Sequence, residues 1–169
     1  MRRVAEFSRW QVLLPLVLGW LAAEPWTRGA EPARDAKPLV KTTELGPVRV
    51  TVKLEPPQPL IGDPVTLTLS VTAEKDVELL LPEFGESLER FAILDYVPRQ
   101  TLDDQGRTVA SQKYRLQPPA SGKQAIPPIL VEFVDRRPGQ RKAPEGADAY
   151  ELFSERIEFE VQSVLPKDA

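Results

Sequence analysis

From Val48 onward the chain alternates: Val48, Val50, Val52 and Leu54 are apolar, while Arg49, Thr51 and Lys53 between them are polar. A period of two is the mark of a strand with one buried face. The pattern returns without a break after Gly62-Asp63-Pro64, where Val65, Leu67, Leu69, Val71 and Ala73 alternate with Thr66, Thr68, Ser70 and Thr72. Val77, Leu79 and Leu81 predict a third short strand ended by Pro82-Glu83-Phe84-Gly85, and residues 83 to 90 have room for one helical turn. Phe91 to Val97 and Thr108 to Leu116 read as a hairpin about Asp103-Asp104-Gln105-Gly106. Ile129 to Val134, a short run near Tyr150 to Phe153, and Arg156 to Val164 complete the set, the last with Ile157, Phe159 and Val161 on one face.

Seven to nine short strands, punctuated by Pro and Gly and without a long amphipathic helix, predict an all-β protein, an antiparallel Ig-like β-sandwich over residues 44 to 165. Residues 166 to 169 form a C-terminal tail. Gly106, Gly122 and Gly139 fall where turns need a positive φ. No repeat of solenoid or propeller period is present, so one module is expected.

Ahead of the sandwich the pattern is different. Arg2, Arg3 and Arg9 precede the apolar stretch Val12 to Ala23, which is too short and too interrupted by Pro15 and Gly19 for a spanning helix. Residues 1 to 23 read as a signal peptide cut after Ala23, with Gly29 or Ala30 as later sites and an uncleaved signal anchor as the competing reading. Residues 24 to 43 mix Pro, Ala and both charges without apolar periodicity, the composition of a disordered tether.

Composition then removes most chemistries. The 169 residues contain no His and no Cys, which excludes imidazole acid/base catalysis, Ser-His and Cys-His nucleophiles, thiolate ligands and disulfides. Loss of the signal would leave 19 basic against 24 acidic residues, a net charge of −5, the wrong sign for a nucleic-acid partner. Asn is absent, so N-glycosylation is excluded, and no Gly-rich phosphate loop occurs.

The remaining candidates have plainer explanations. Glu158 and Glu160 share an outward strand face but lack the two contrasting environments a carboxylate pair needs for acid/base work. Ser111 and Lys113 share a polar face in the same way. Asp103-Asp104 has no calcium-loop spacing and suits a turn. Arg136, Arg137, Arg141 and Lys142 make the densest basic cluster, in a long loop that is a candidate docking site for an acidic partner or anionic headgroups. No catalytic, cofactor or metal residue is expected, and the chain reads as a non-enzyme.

Two stretches carry a resemblance. Pro59-Leu60-Ile61-Gly62-Asp63-Pro64-Val65, and later Tyr114-Arg115-Leu116-Gln117-Pro118, Ser121-Gly122 and Ile126-Pro127-Pro128-Ile129, together resemble the extracytoplasmic modules of BatD-like proteins, the oxygen-tolerance or aerotolerance-operon family. The ending Val161 to Pro166 is similar to a module end there. Gly62, Asp63, Tyr114, Leu116, Gly122, Pro127 and Pro128 are the residues that match, and each also has a structural reading as turn, strand face or strand entrance. The resemblance implies a noncatalytic module on the periplasmic face of a bacterial envelope, an accessory of an assembly containing von Willebrand A-domain proteins and a MoxR-type AAA+ ATPase. It departs from the family in showing one module and no C-terminal apolar span. Binding through a sheet face, an edge strand or the 135 to 149 loop is expected, with strand addition the most economical mode because it needs only main-chain groups. The alternative function is a small-ligand or carbohydrate-binding β-sandwich, which the scarcity of aromatic residues disfavours.

Overall fold

The computed structural model describes residues 36–165; the expected signal peptide and most of the expected tether lie outside them, as does the expected tail after Leu165. Ten strands build the fold: β1 (Leu39–Leu45), β2 (Val48–Glu55), β3 (Val65–Ala73), β4 (Val77–Leu80), β5 (Ala92–Leu102), β6 (Thr108–Gln117), β7 (Gly122–Ile126), β8 (Leu130–Asp135), β9 (Tyr150–Phe153) and β10 (Ile157–Val161). A five-stranded sheet runs β1-β2-β3-β6-β5, a three-stranded sheet runs β4-β8-β9, and β7 pairs with β10. All strand pairs are antiparallel.

The order β2-β3-β6-β5 over β4-β8-β9 is the ABED and CFG arrangement of a seven-stranded Ig-type sandwich. β1, β7 and β10 are additions to it, which takes the count past the seven to nine strands expected. The alternation read from the sequence decides the packing. Val48, Val50, Val52 and Leu54 of β2 and Val65, Leu67, Leu69, Val71 and Ala73 of β3 are all buried, and they meet Val131 and Phe133 of β8 and Ile157, Phe159 and Val161 of β10 in one cluster. Full burial of a side chain of this kind is worth about 1.5–3 kcal/mol, so the β2–β3 pair with its facing layer anchors a domain that has no disulfide.

Two local expectations are corrected. β1 begins at Leu39, inside the stretch assigned to the tether, so the sandwich starts there and not at residue 44. The segment after β4 has no helical turn; the N–H groups of Glu86, Leu88 and Phe91 donate to the carbonyls of Glu83, Gly85 and Leu88 in successive turns. Pro82 and Leu88 are buried under this strap, while Phe84 at its tip is exposed.

Candidate interaction surfaces

The sequence-derived candidates separate to opposite ends of the sandwich. At one end the Gly46-Pro47 turn, residues 74–76, the β5–β6 turn and the long β8–β9 loop come together: the Glu74 N–H donates to the Pro47 carbonyl (3.0 Å), and the Arg136 N–H to the Asp76 carbonyl (3.0 Å). The basic cluster lies here and is half consumed by the fold. Arg137 grips the buried Asp135 through Nε (3.0 Å) and Nη2 (2.8 Å) and reaches Glu74 through Nη1 (2.8 Å). The guanidinium holds the Asp135 carboxyl below the ordinary aspartate range, and Asp135 in turn raises Arg137. Arg136 pairs with Glu78 at 2.6 Å. Only Arg141 and Lys142 of the four are exposed without an ion pair to another described residue. Asp103 is likewise a turn device: desolvation works against its charged form, but donors from Arg107 and Gln105 outweigh that and hold its carboxyl low.

The resembling motifs gather at the other end, around the last strand. Gly62 (φ 93°) and Asp63 close a turn in which the Asp63 N–H donates to the Leu60 carbonyl (3.0 Å), and Leu60 forms a parallel bridge with Gln162. Gly122 (φ 91°) opens β7 opposite Val161. Pro127 and Pro128 fill the step between β7 and β8, where Ile129 exchanges hydrogen bonds with Ser154. Leu116 is buried between Val65 and Ile93. Tyr114 is buried too; its hydroxyl accepts from the Gly85 N–H and donates to Gln112 Oε1, both at 3.3 Å, and burial pushes its pKa up. These residues hold the strap and β10 in place, and none of them lines a reactive cleft.

The other polar candidates among the described residues stand apart. Glu158 and Glu160 are exposed, and Glu158 pairs with Arg156. Ser111 and Lys113 stand on the outer face of β6. No cluster of three metal-ligating side chains occurs among the described residues, and no described helix is long and apolar enough to cross a membrane. A groove of about 500 Å³ beside β7 and β10 has Arg90, Lys123 and Arg156 on its walls together with Glu158 and Glu160, so its charge nearly cancels. Among the described residues the exposed aromatics Phe84 and Phe153 stand apart, Phe84 against Tyr96 and Phe153 on β9.

The free sheet edges differ sharply, and the sequence reading left them undistinguished. β4 and β9 are four residues each, and β7 and β10, which pair only with each other, are five each, so these edges offer short ladders. β5 is long, eleven residues, but closed. Its register slips at a bulge between Ile93 and Asp95, the Tyr96 N–H is occupied by Asp95 Oδ1 (2.9 Å), and Pro98, two residues on, brings no N–H to that same side. β1 has none of these devices. Its seven residues contain no Pro or Gly and pair with β2 in unbroken register from Leu39↔Leu54 to Leu45↔Val48; no second strand among the described residues pairs with it, although β9 lies close by and Lys41 reaches Glu155. No protein-family model, curated protein or solved structure matches the chain.

Proposed function

We propose that the protein is a noncatalytic protein–protein interaction module exported to the periplasm or the periplasmic face of the cytoplasmic membrane, and that an extended strand of another chain adds to its first sheet at β1. The observation that carries this reading is the asymmetry of the five-stranded sheet: a regular edge at β1, whose only blunting features are the charges of Lys41 and Glu44, and an edge at β5 closed by a bulge and Pro98. An unpaired row of N–H and C=O groups binds another strand without special side chains. The absence of His and Cys from the sequence agrees with a role that makes no bonds. The finer reading, a BatD-like accessory of an assembly with von Willebrand A-domain proteins and a MoxR-type ATPase, rests on the motif residues Gly62, Asp63, Tyr114, Leu116, Gly122, Pro127 and Pro128 alone.

Its test is capture of partners from crosslinked bacterial envelopes by the protein and by a proline scan of Val40 to Glu44. Main-chain N–H groups of an edge strand point alternately inward and outward. Proline at every second position should therefore spare the fold while removing the partner. Recovery of a von Willebrand A-domain protein that is lost with those folded variants is the expected result. Equal recovery by every folded variant rules out β1 as the binding edge.

A further inference from the structure

We infer that the strand added at β1 is β1 of a second copy, giving a two-fold dimer whose first sheets join into one of ten strands. The inference rests on the reading of β1 as the working edge and names its occupant.

Three observations carry it. Antiparallel pairing of β1 with itself over its full length has a single register, Leu39 opposite Leu45, Val40 opposite Glu44, Lys41 opposite Thr43 and Thr42 on the two-fold axis, all from the strand bounds. That register keeps core-side residues facing core-side residues, since positions of equal parity share a face. It also sets no like charges against each other: Lys41 meets Thr43, and Glu44 meets Val40. Second, it covers what β1 leaves open. Leu45 is 40% exposed and Val40 49%; the first gains Leu39 of the second copy and the second gains the aliphatic stem of Glu44 of the second copy. Thr43 Oγ1 is shut away from solvent with no hydrogen-bond partner among the described residues, and the register brings Lys41 of the second copy opposite it.

The third observation is the other edge. A strand-to-strand contact that is the same on both copies closes on itself, whereas a sheet open at both edges runs on into a fibre. With β5 barred by its bulge, the Asp95 cap and Pro98, pairing at β1 ends at two copies.

The chain has no native cysteine, so single-cysteine variants report the register directly. Residues directly opposed across an antiparallel pair lie roughly 4.5–5.5 Å apart at Cα, inside the disulfide range. Thr42→Cys on the axis should link quantitatively to its own copy under mild oxidation. Val40→Cys, equally exposed on the same face, would sit about 13 Å from its counterpart, four residues along the strand, and should stay unlinked. Sedimentation of the unmodified protein should show a dimer and nothing larger, and Leu45→Lys, which removes two symmetric contacts, should weaken it about tenfold. A monomer at high concentration, a dimer that Thr42→Cys does not link, or equal linking by both cysteine variants overturns the self-pairing. The envelope capture decides the underlying reading separately: a monomer that still loses its partner in the proline variants leaves β1 as an edge for a foreign strand, and a β1 dimer whose partner capture survives them leaves the dimer standing without that role.

Discussion

β1 and β5 bound the same sheet, and they solve the edge problem in opposite ways. β5 is tied into the body on its inner side: Tyr96 packs at 4.7 Å from Tyr114 and 5.0 Å from Phe84, and Gln112 of the adjoining β6 donates to the Pro82 carbonyl (2.8 Å). Its outer side is blocked by the bulge, the capped Tyr96 N–H and Pro98. β1 is held by one hairpin, the Thr42–Thr51 hydroxyl contact and surface ion pairs such as Lys41–Glu155 (3.4 Å). Exposed pairs of that kind contribute roughly 0–1 kcal/mol. Neither edge strand buries a residue fully; the difference is that β5 is closed by a bulge, a capped N–H and a proline, whereas β1 is regular and has no second strand partner among the described residues.

The largest test of this contrast removes a side chain from each flank. Tyr114→Ala should cost about 3–5 kcal/mol, because it empties the aromatic cluster and strands Gln112 and the Gly85 N–H, whereas Thr42→Ala should stay within about 0.5 kcal/mol in the same denaturant titration. A Tyr114 variant as stable as the Thr42 variant would remove the claim that the β5 side is the anchored one. Next, Pro98→Thr gives β5 back an outward N–H. Sedimentation should then reveal species larger than those of the parent protein, with little change in unfolding midpoint; unchanged association would mean that Pro98 is not what closes the edge.

A pH titration separates both edges from the loop end. The Asp135 carboxyl is held low in the native state by Arg137, so its contribution is complete above the ordinary aspartate value of 3.8 and is lost as pH falls through the lower native value. Unfolding of Asp135→Asn should thus differ from the parent at neutral pH, with the gap shrinking only below about pH 4. A gap that persists at pH 2 contradicts the clamp. The smallest effect is in the strap over β5. Ser87 carries φ 65°, which glycine adopts without the steric cost. Ser87→Gly should stabilise by about 0.5 kcal/mol, the difference between relieved strain and added chain entropy, and a loss of stability would show that the Ser87 side chain contributes there.

How much of this the sequence announced follows from burial. β2, β3 and β6 were legible because each has neighbours on both sides and one face in the core, so apolar residues recur every second position. Residues 39 to 43 of β1 look like tether because an edge strand needs little burial; only Leu39 and Thr43 are even partly covered, and Lys41-Thr42-Thr43 carries no alternation. β7 was missed for the same reason, with Ile126 its single buried residue. The basic run at Arg136 was visible as charge, but its partners Glu74, Glu78 and Asp135 lie partly far away in sequence, so pairing could not be read. Pro98, directly after the apolar run Phe91 to Val97, is the residue in the sequence that signals a closed edge.

The central claim is that β1 is the working edge. Residue-resolved amide exchange tests it most directly, comparing the dilute protein with the concentrated protein and with protein bound to envelope partners. The account predicts that the outward-pointing amides between Leu39 and Leu45 become protected on association while β5 and the 136–149 loop do not change. Protection confined to β5 or to that loop, with β1 exchanging as in the dilute protein, would contradict it.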